Sequence, residues 1–258
     1  MALLRCDIYS EVLKVDTSMT VILPHDGQTP FSPEPAPMVT APPVLYLLHG
    51  LGDDDTAWTR QTAIERYVDP LGLAVVMPQV GRSFYADQVH GQPYWTFLSE
   101  ELPALVDAMF HVSTRREDTF VAGLSMGGFG AMKWALRDPG RFAAVGSISG
   151  VLDTAQVRRD REPRREAALH AAFGDGDIEG TDDDVRHLLT RAAASGDSLP
   201  EMYLCCGTED DLYGSSVSFA ALAAELDVPV TAEFGPGEHD WLYFDAGIRR
   251  VLEWLPLP

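Results

Sequence analysis

No stretch of this sequence approaches the roughly 20 unbroken apolar residues that a membrane-spanning helix needs, so an integral membrane protein of that kind is excluded. Cysteine is scarce, with three residues in a chain of 258. Cys205 and Cys206 are adjacent in an apolar run and Cys6 is remote, which implies no disulfide framework and fits a reducing compartment. Adjacent cysteines in a strand-like run read as small core residues rather than as nucleophiles. Residues Met1 to Ser10 contain no long apolar core followed by a small-residue cleavage site, and Arg5 and Asp7 interrupt them. A secretory signal is therefore not expected there, and the cytoplasm is the expected location. Positive charge is short as well: 19 basic residues face 39 acidic ones, for a formal charge of -20. Like charge repels a polyanion long before contact, which excludes nucleic acid and anionic membrane surfaces as partners and favours a small neutral substrate. Lys14 and Lys133 are the only lysines, a bias that points to a GC-rich bacterial genome and carries no chemistry. Self-association into a homo-oligomer is left open.

What is present is an apolar fraction of 46% and a charged fraction of 22%, the composition of a globular enzyme rather than of a disordered chain. The expected organisation is one domain over 1–258. The proline-dense stretch Thr29 to Pro43 cannot be helix or central strand and reads as an exposed loop. It follows an N-terminal antiparallel hairpin, roughly Leu3 to Leu23. Short apolar runs then recur at Val44 to Leu48, Leu73 to Met77, Thr119 to Ala122, Ala143 to Ile148, Met202 to Cys206 and Val230 to Phe234. Runs of this kind separated by helical segments predict an α/β fold with a mostly parallel central sheet covered by helices on both faces. Leu98, Leu102, Leu105, Val106 and Met109 share one face of a helix, and Phe129 to Arg137 forms another that ends before Asp138-Pro139. Between about 150 and 200 the strand signals vanish and a helical excursion is expected, with Thr181 and the acidic Asp182, Asp183 and Asp184 as a helix start.

The segment that carries chemistry is Thr119-Phe-Val-Ala-Gly-Leu-Ser-Met-Gly-Gly-Phe-Gly130. It places Gly123-x-Ser125-x-Gly127 between an apolar strand and an amphipathic helix, the context of a strained turn that exposes a nucleophilic serine. The helix start aims free amides at developing negative charge, so the Met126 N–H is the natural first oxyanion donor. A second donor, the Leu51 N–H, is expected in the turn after Val44-Leu-Tyr-Leu-Leu-His-Gly-Leu-Gly52. His49 sits beside that turn and reads as a residue that bonds loop backbone. The general base is His239, in the glycine-rich Gly235-Pro-Gly-Glu-His-Asp-Trp241 after the last strand; His25, His90, His111, His170 and His187 stand elsewhere in chain order or in the excursion. The orienting acid belongs on Gly207-Thr-Glu-Asp-Asp211, with Asp210 the choice and Asp211 the runner-up, and whichever two of Glu209, Asp210 and Asp211 lose cap the helix from about Ser215 or face water. Asp53-Asp54-Asp55 lacks the alternating ligand spacing of a calcium loop and reads as solvated surface. No metal or organic cofactor is called for. Trp58, Tyr85 and Trp241, with Phe84, Tyr94 and Trp95, could wall a compact acyl pocket, although each alone suits core packing equally well.

With these residues in place the sequence resembles the esterase D family, which includes tributyrin-type esterases, S-formylglutathione hydrolases and, more distantly, the antigen 85 mycolyltransferases. The matching pieces are Leu47-Leu-His-Gly-Leu-Gly52 with Trp58, Val76-Met-Pro78, Ser83-Phe-Tyr85, Glu100-Glu-Leu-Pro103, Ala122-Gly-Leu-Ser-Met-Gly-Gly128, Cys206-Gly-Thr-Glu-Asp210 and Gly237-Glu-His-Asp-Trp241. Cys206 to Tyr213 is most similar to the acid loop of the tributyrin-type esterases. The chain departs from the formylglutathione hydrolases at His49-Gly50 and from the mycolyltransferases in the expected lack of a secretion signal. The resemblance implies an α/β-hydrolase fold, a Ser125, Asp210 and His239 triad, and Leu51 and Met126 as oxyanion donors. The implied activity is hydrolysis of short-chain carboxylic esters, with thioester hydrolysis or acyl transfer as the alternative and a non-catalytic binding module as the reading from another class.

Overall fold

The computed structural model describes residues 1–25, 41–159 and 163–257. The chain opens with strands β1 (Ala2–Ser10) and β2 (Val15–Leu23), paired antiparallel through a turn in which the Lys14 amide donates to Ser10 O. Then follow β3 (Val44–Leu48), α1 (Ala57–Gln61), α2 (Ile64–Val68), β4 (Ala74–Pro78), α3 (Tyr94–Thr96), a π turn over Phe97–Glu101, and α4 (Leu102–Met109). β5 (Thr119–Leu124), α5 (Met126–Arg137) and β6 (Ala144–Ile148) form the centre. After them come α6 (Thr154–Arg159), α7 (Pro163–Phe173), α8 (Val185–Ser195), β7 (Glu201–Gly207), α9 (Tyr213–Glu225), β8 (Thr231–Gly235) and α10 (Trp241–Trp254).

The strands of the described residues make one eight-stranded sheet in the order β1-β2-β4-β3-β5-β6-β7-β8. β3 through β8 run parallel, and β2 joins β4 antiparallel. Every residue of β3, β4, β5 and β6 is buried, as continuous apolar strands covered on two sides must be. Alternation of side chains splits the core into two layers. Tyr46 and Leu48 meet Leu98, Leu102, Phe129, Trp134, Leu188 and Phe219, so α4, α5, α8 and α9 cover one face. Leu45 and Leu47 meet Trp58, Ile64, Val68, Ile248 and Val251, so α1, α2 and α10 cover the other. The mostly parallel sheet, its helical layers and the antiparallel hairpin define an α/β-hydrolase fold. Among the described residues no helix is long and apolar enough to cross a membrane.

Several sequence expectations need correction. Thr181 does not start a helix. It closes a turn, with its carbonyl accepting from the Asp184 amide, and α8 starts after Asp184, whose extended backbone lets its carboxylate accept from the Arg186 and His187 amides. Asp55 is not solvated surface: it is buried and accepts from Ser18 Oγ at 2.9 Å and Thr20 Oγ1 at 2.7 Å on β2. Met109 is exposed rather than packed with Leu98, Leu102 and Val106. Most of the Thr29 to Pro43 stretch lies outside the described residues; Pro42 and Pro43 are within them and pin the entry to β3, accepting from the Ser113 and Ala74 amides. The excursion is helical, as α6 to α8.

Candidate active site

Four loops at the C-terminal ends of β3, β5, β7 and β8 converge, the edge where open parallel sheets place their ligands. Ser125 stands between β5 and α5 with φ 54° and ψ -116°, an unfavourable backbone for a residue with a side chain. The turn is held because its amide donates to Ile148 O at 2.9 Å while its carbonyl accepts from the Phe129 and Val151 amides. So tight a turn presses α5 against its neighbours: a Cβ on Gly123 would lie 2.4 Å from Gly127, and one on Gly127 would lie 2.3 Å from Leu48 O. Only glycine fits either position.

His239 follows β8, on a loop closed by Glu209, whose carboxylate accepts from the Gly237 amide at 2.6 Å. Its Nε2 lies 3.0 Å from Ser125 Oγ and its Nδ1 lies 2.8 Å from Asp210 Oδ2. Ser125 and Asp210 are buried whereas His239 is part-exposed, so the chain of hydrogen bonds is reached from solvent at the imidazole. Burial pushes the Asp210 carboxyl up, but the bonds from His239 and from the Leu212 amide outweigh it and hold the group below the usual carboxylate range. A charged acceptor on Nδ1 fixes the tautomer in which Nε2 is free to take a proton from the serine. Asp211 pairs instead with Arg165 of α7 at 2.7 Å. Asp210, Asp211 and His239 are also the one cluster among the described residues with carboxylate and imidazole atoms close enough to share a cation. Each is already engaged, two of them with each other and Asp211 with Arg165, so we assign no metal there.

The turn after β3 reaches the nucleophile. A Cβ on Gly50 would stand 3.7 Å from Ser125 Cβ, which brings Leu51 alongside. Met126 opens α5, so its amide belongs to the first turn, where no intrahelical acceptor exists. His49 is buried and bonds loop backbone, as its position implied. Val80 N donates to Nε2 at 3.2 Å and Nδ1 donates to Gly50 O at 2.8 Å. Burial in this cage lowers its pKa and keeps the ring neutral.

The expected aromatic pocket divides. Trp58 is fully buried with its Nε1 donating to Leu48 O, and Tyr85 is fully buried with its hydroxyl donating to His49 O, so both support the end of β3 and the turn after it and leave no surface to wall a pocket. Phe84 is likewise core. Trp241 is part-exposed, packs against Trp58 at 5.5 Å and shares Phe244 with His239, which leaves it at the site. Tyr94 and Trp95 are part-exposed too, but Trp95 covers Lys133 and Arg137. Lys133 lies beneath that ring, one of two lysines in the sequence and set in the apolar helix that follows the serine.

The family model described as "Putative esterase" matches residues 10–255, and the chain belongs to that esterase family, a carboxylesterase-type hydrolase. It is 28% identical to an acetyl esterase of Caldicellulosiruptor saccharolyticus over 262 residues, covering 99% of this chain and 98% of that one. Among solved structures it is similar to FphF, a fluorophosphonate-binding serine hydrolase of Staphylococcus aureus, at 34% identity and a TM-score of 0.89 with 98% of each chain covered. The S-formylglutathione hydrolase FrmB of the same organism superposes at 34% identity and a TM-score of 0.84, again over 98% of each.

Proposed function

We propose that this protein is a serine carboxylesterase for short-chain acyl esters, acting as a single domain through an acyl-enzyme on Ser125. The observation that carries the reading is the unbroken hydrogen-bonded chain from Ser125 Oγ through His239 to Asp210, built on a backbone turn that only the surrounding contacts sustain. His239 takes the hydroxyl proton as Ser125 Oγ attacks the ester carbonyl. The Leu51 and Met126 amides receive the oxyanion, the alcohol leaves with the proton from His239, and a water activated by the same imidazole releases the carboxylic acid. This sequence of steps calls on no metal or organic cofactor. Trp241, held beside the imidazole through Phe244, is the expected wall that stays at the site, and the acyl group is taken to be compact, of two to about four carbons. The likeness to an acetyl esterase supports the same range. The free thiols of Cys6, Cys205 and Cys206 suit a reducing compartment, and we place the protein in the cytoplasm.

A fluorophosphonate probe tests the nucleophile. The parent is expected to be labelled at Ser125, and Ser125→Ala to be unlabelled, inactive and still folded. Activity retained in Ser125→Ala refutes the assignment. Thioester hydrolysis is the second reading, favoured by the similarity to an S-formylglutathione hydrolase. A panel of acetyl, butyryl and palmitoyl esters beside S-formylglutathione separates the two. Faster turnover of palmitoyl than of butyryl esters would refute the short-chain assignment.

A further inference from the structure

We propose that Tyr85 is a positioning residue for the oxyanion turn and that Lys133 holds it in place, an inference that rests on the esterase reading above. Two peptide units of the turn are fixed by their carbonyls. The first, His49–Gly50, has its carbonyl bonded by the Tyr85 hydroxyl at 2.8 Å. The second, Gly50–Leu51, has its carbonyl bonded by His49 Nδ1 at 2.8 Å, with the Asp53 amide also donating at 3.2 Å. The peptide plane is rigid and trans, so fixing Gly50 O fixes the opposite direction of the Leu51 N–H. His49 can donate from Nδ1 because the Val80 amide occupies Nε2. The orientation of the oxyanion donor is thus set by Tyr85 and His49 acting on successive carbonyls.

Tyr85 is itself held against its own preference. Phe84 and Tyr85 have φ of 51° and 49°, consecutive left-handed residues with bulky side chains, a conformation that persists only where the surroundings dictate it. The Tyr85 amide donates to Ser83 Oγ at 3.0 Å and its carbonyl accepts from Lys133 Nζ at 2.8 Å. Lys133 has no accessible surface, lies 4.5 Å over the Trp95 ring and is paired with Asp183 of the excursion. The Tyr85 ring lies on α5 at Gly130, where a Cβ would come within 2.4 Å of it. Packing alone would be satisfied by phenylalanine, so it is the hydroxyl that serves the turn.

The test is Tyr85→Phe in the full chain, assayed with p-nitrophenyl acetate and with a trifluoromethyl ketone, whose serine adduct carries an oxyanion. Loss of one hydrogen bond that orients the donor is expected to lower kcat about tenfold, with KM within about twofold and the melting temperature nearly unchanged. Affinity for the ketone falls by the same factor as kcat, because both report the oxyanion and not the bound ester. A kcat within about twofold of the parent, or a fall in kcat with ketone affinity retained, overturns the proposal. Ser83→Ala keeps the ring and hydroxyl but removes the acceptor for the Tyr85 amide. It is expected to lose kcat and ketone affinity together by about threefold, and no change in either overturns the proposal should Tyr85→Phe not fold. Fluorophosphonate labelling of the parent keeps the two readings apart. An unlabelled parent defeats the esterase assignment, whereas a labelled parent with an unaffected Tyr85→Phe defeats the positioning role alone.

Discussion

A carboxylate that orients a catalytic imidazole has to reach Nδ1, exclude water and remain charged, and of the three acids on the β7 loop only Asp210 meets all of these. It is buried, 2.8 Å from Nδ1, and held below the ordinary carboxylate range. Asp210→Asn removes the charge and offers Nδ1 a donor as readily as an acceptor, which favours the wrong tautomer. The expected cost in kcat is on the order of 10⁴, as in a protease triad, with KM little changed. Asp211 spends its carboxylate on Arg165 at an exposed position, where an ion pair contributes about 1 kcal/mol or less. Asp211→Asn should therefore stay within about tenfold of the parent. Glu209→Gln keeps an acceptor for the Gly237 amide and should do the same. Steady-state kinetics on the three variants decide the matter: a dead Asp211→Asn beside an active Asp210→Asn shifts the acid by one residue.

At the scale of elements, the sequence was most legible where burial is complete and continuous. β3 to β7 show as apolar runs because both of their faces are covered, and the glycines around Ser125 show because the turn leaves no room for a Cβ. What was not legible depends on partners far along the chain. Asp55 resembles its part-exposed neighbours Asp53 and Asp54 until β2 supplies Ser18 and Thr20, 37 and 35 residues earlier. Trp58 and Tyr85 pass for pocket walls until Leu48 and His49 supply their acceptors. The start of α8 was misread for a local reason. Thr181 and Asp184 are both good caps, and the choice turns on which of them adopts extended backbone, which composition does not encode. The correction has a measurable consequence. Asp184→Ala strips the acceptor from the Arg186 and His187 amides and should destabilise the chain by about 1 kcal/mol, a fall in melting temperature of about 2–4 °C. Activity should be unchanged, since the Asp184 carboxylate bonds the Gly180, Arg186 and His187 amides and none of the triad residues. Thermal unfolding alongside kinetics checks both parts, and a variant as stable as the parent returns the cap to another residue.

At the scale of the whole molecule, acid groups locked in the core make stability fall on the alkaline side. The Cys205 and Cys206 thiols have no accessible surface, and burial, the largest cause, pushes each from an ordinary 9.0 up to about 12. Burial likewise raises the Tyr46 phenol from 10.0 to about 12. Between pH 9 and 12 the unfolded chain releases these protons while the folded chain retains them, so the native state binds more protons and unfolding becomes easier as pH rises. Lys133 acts with the opposite sign. Burial lowers its pKa despite Asp183, so the unfolded chain keeps that proton longer and this one group favours folding as pH rises towards 10.5. The raised acids, which also include the buried Tyr85, Tyr203 and Tyr243 phenols, outnumber the one lowered buried lysine and leave a net loss. The free energy of unfolding, measured by urea denaturation, should therefore be steady near neutrality and decline above about pH 9, each proton of difference contributing about 1.4 kcal/mol per pH unit. Replacing both cysteines with alanine opens small cavities and lowers stability at every pH, but it also removes two of the titrating groups. The slope above pH 9 should flatten in the double variant even as its absolute stability drops. Parallel slopes in parent and variant would show that the paired thiols of β7 do not drive the alkaline loss.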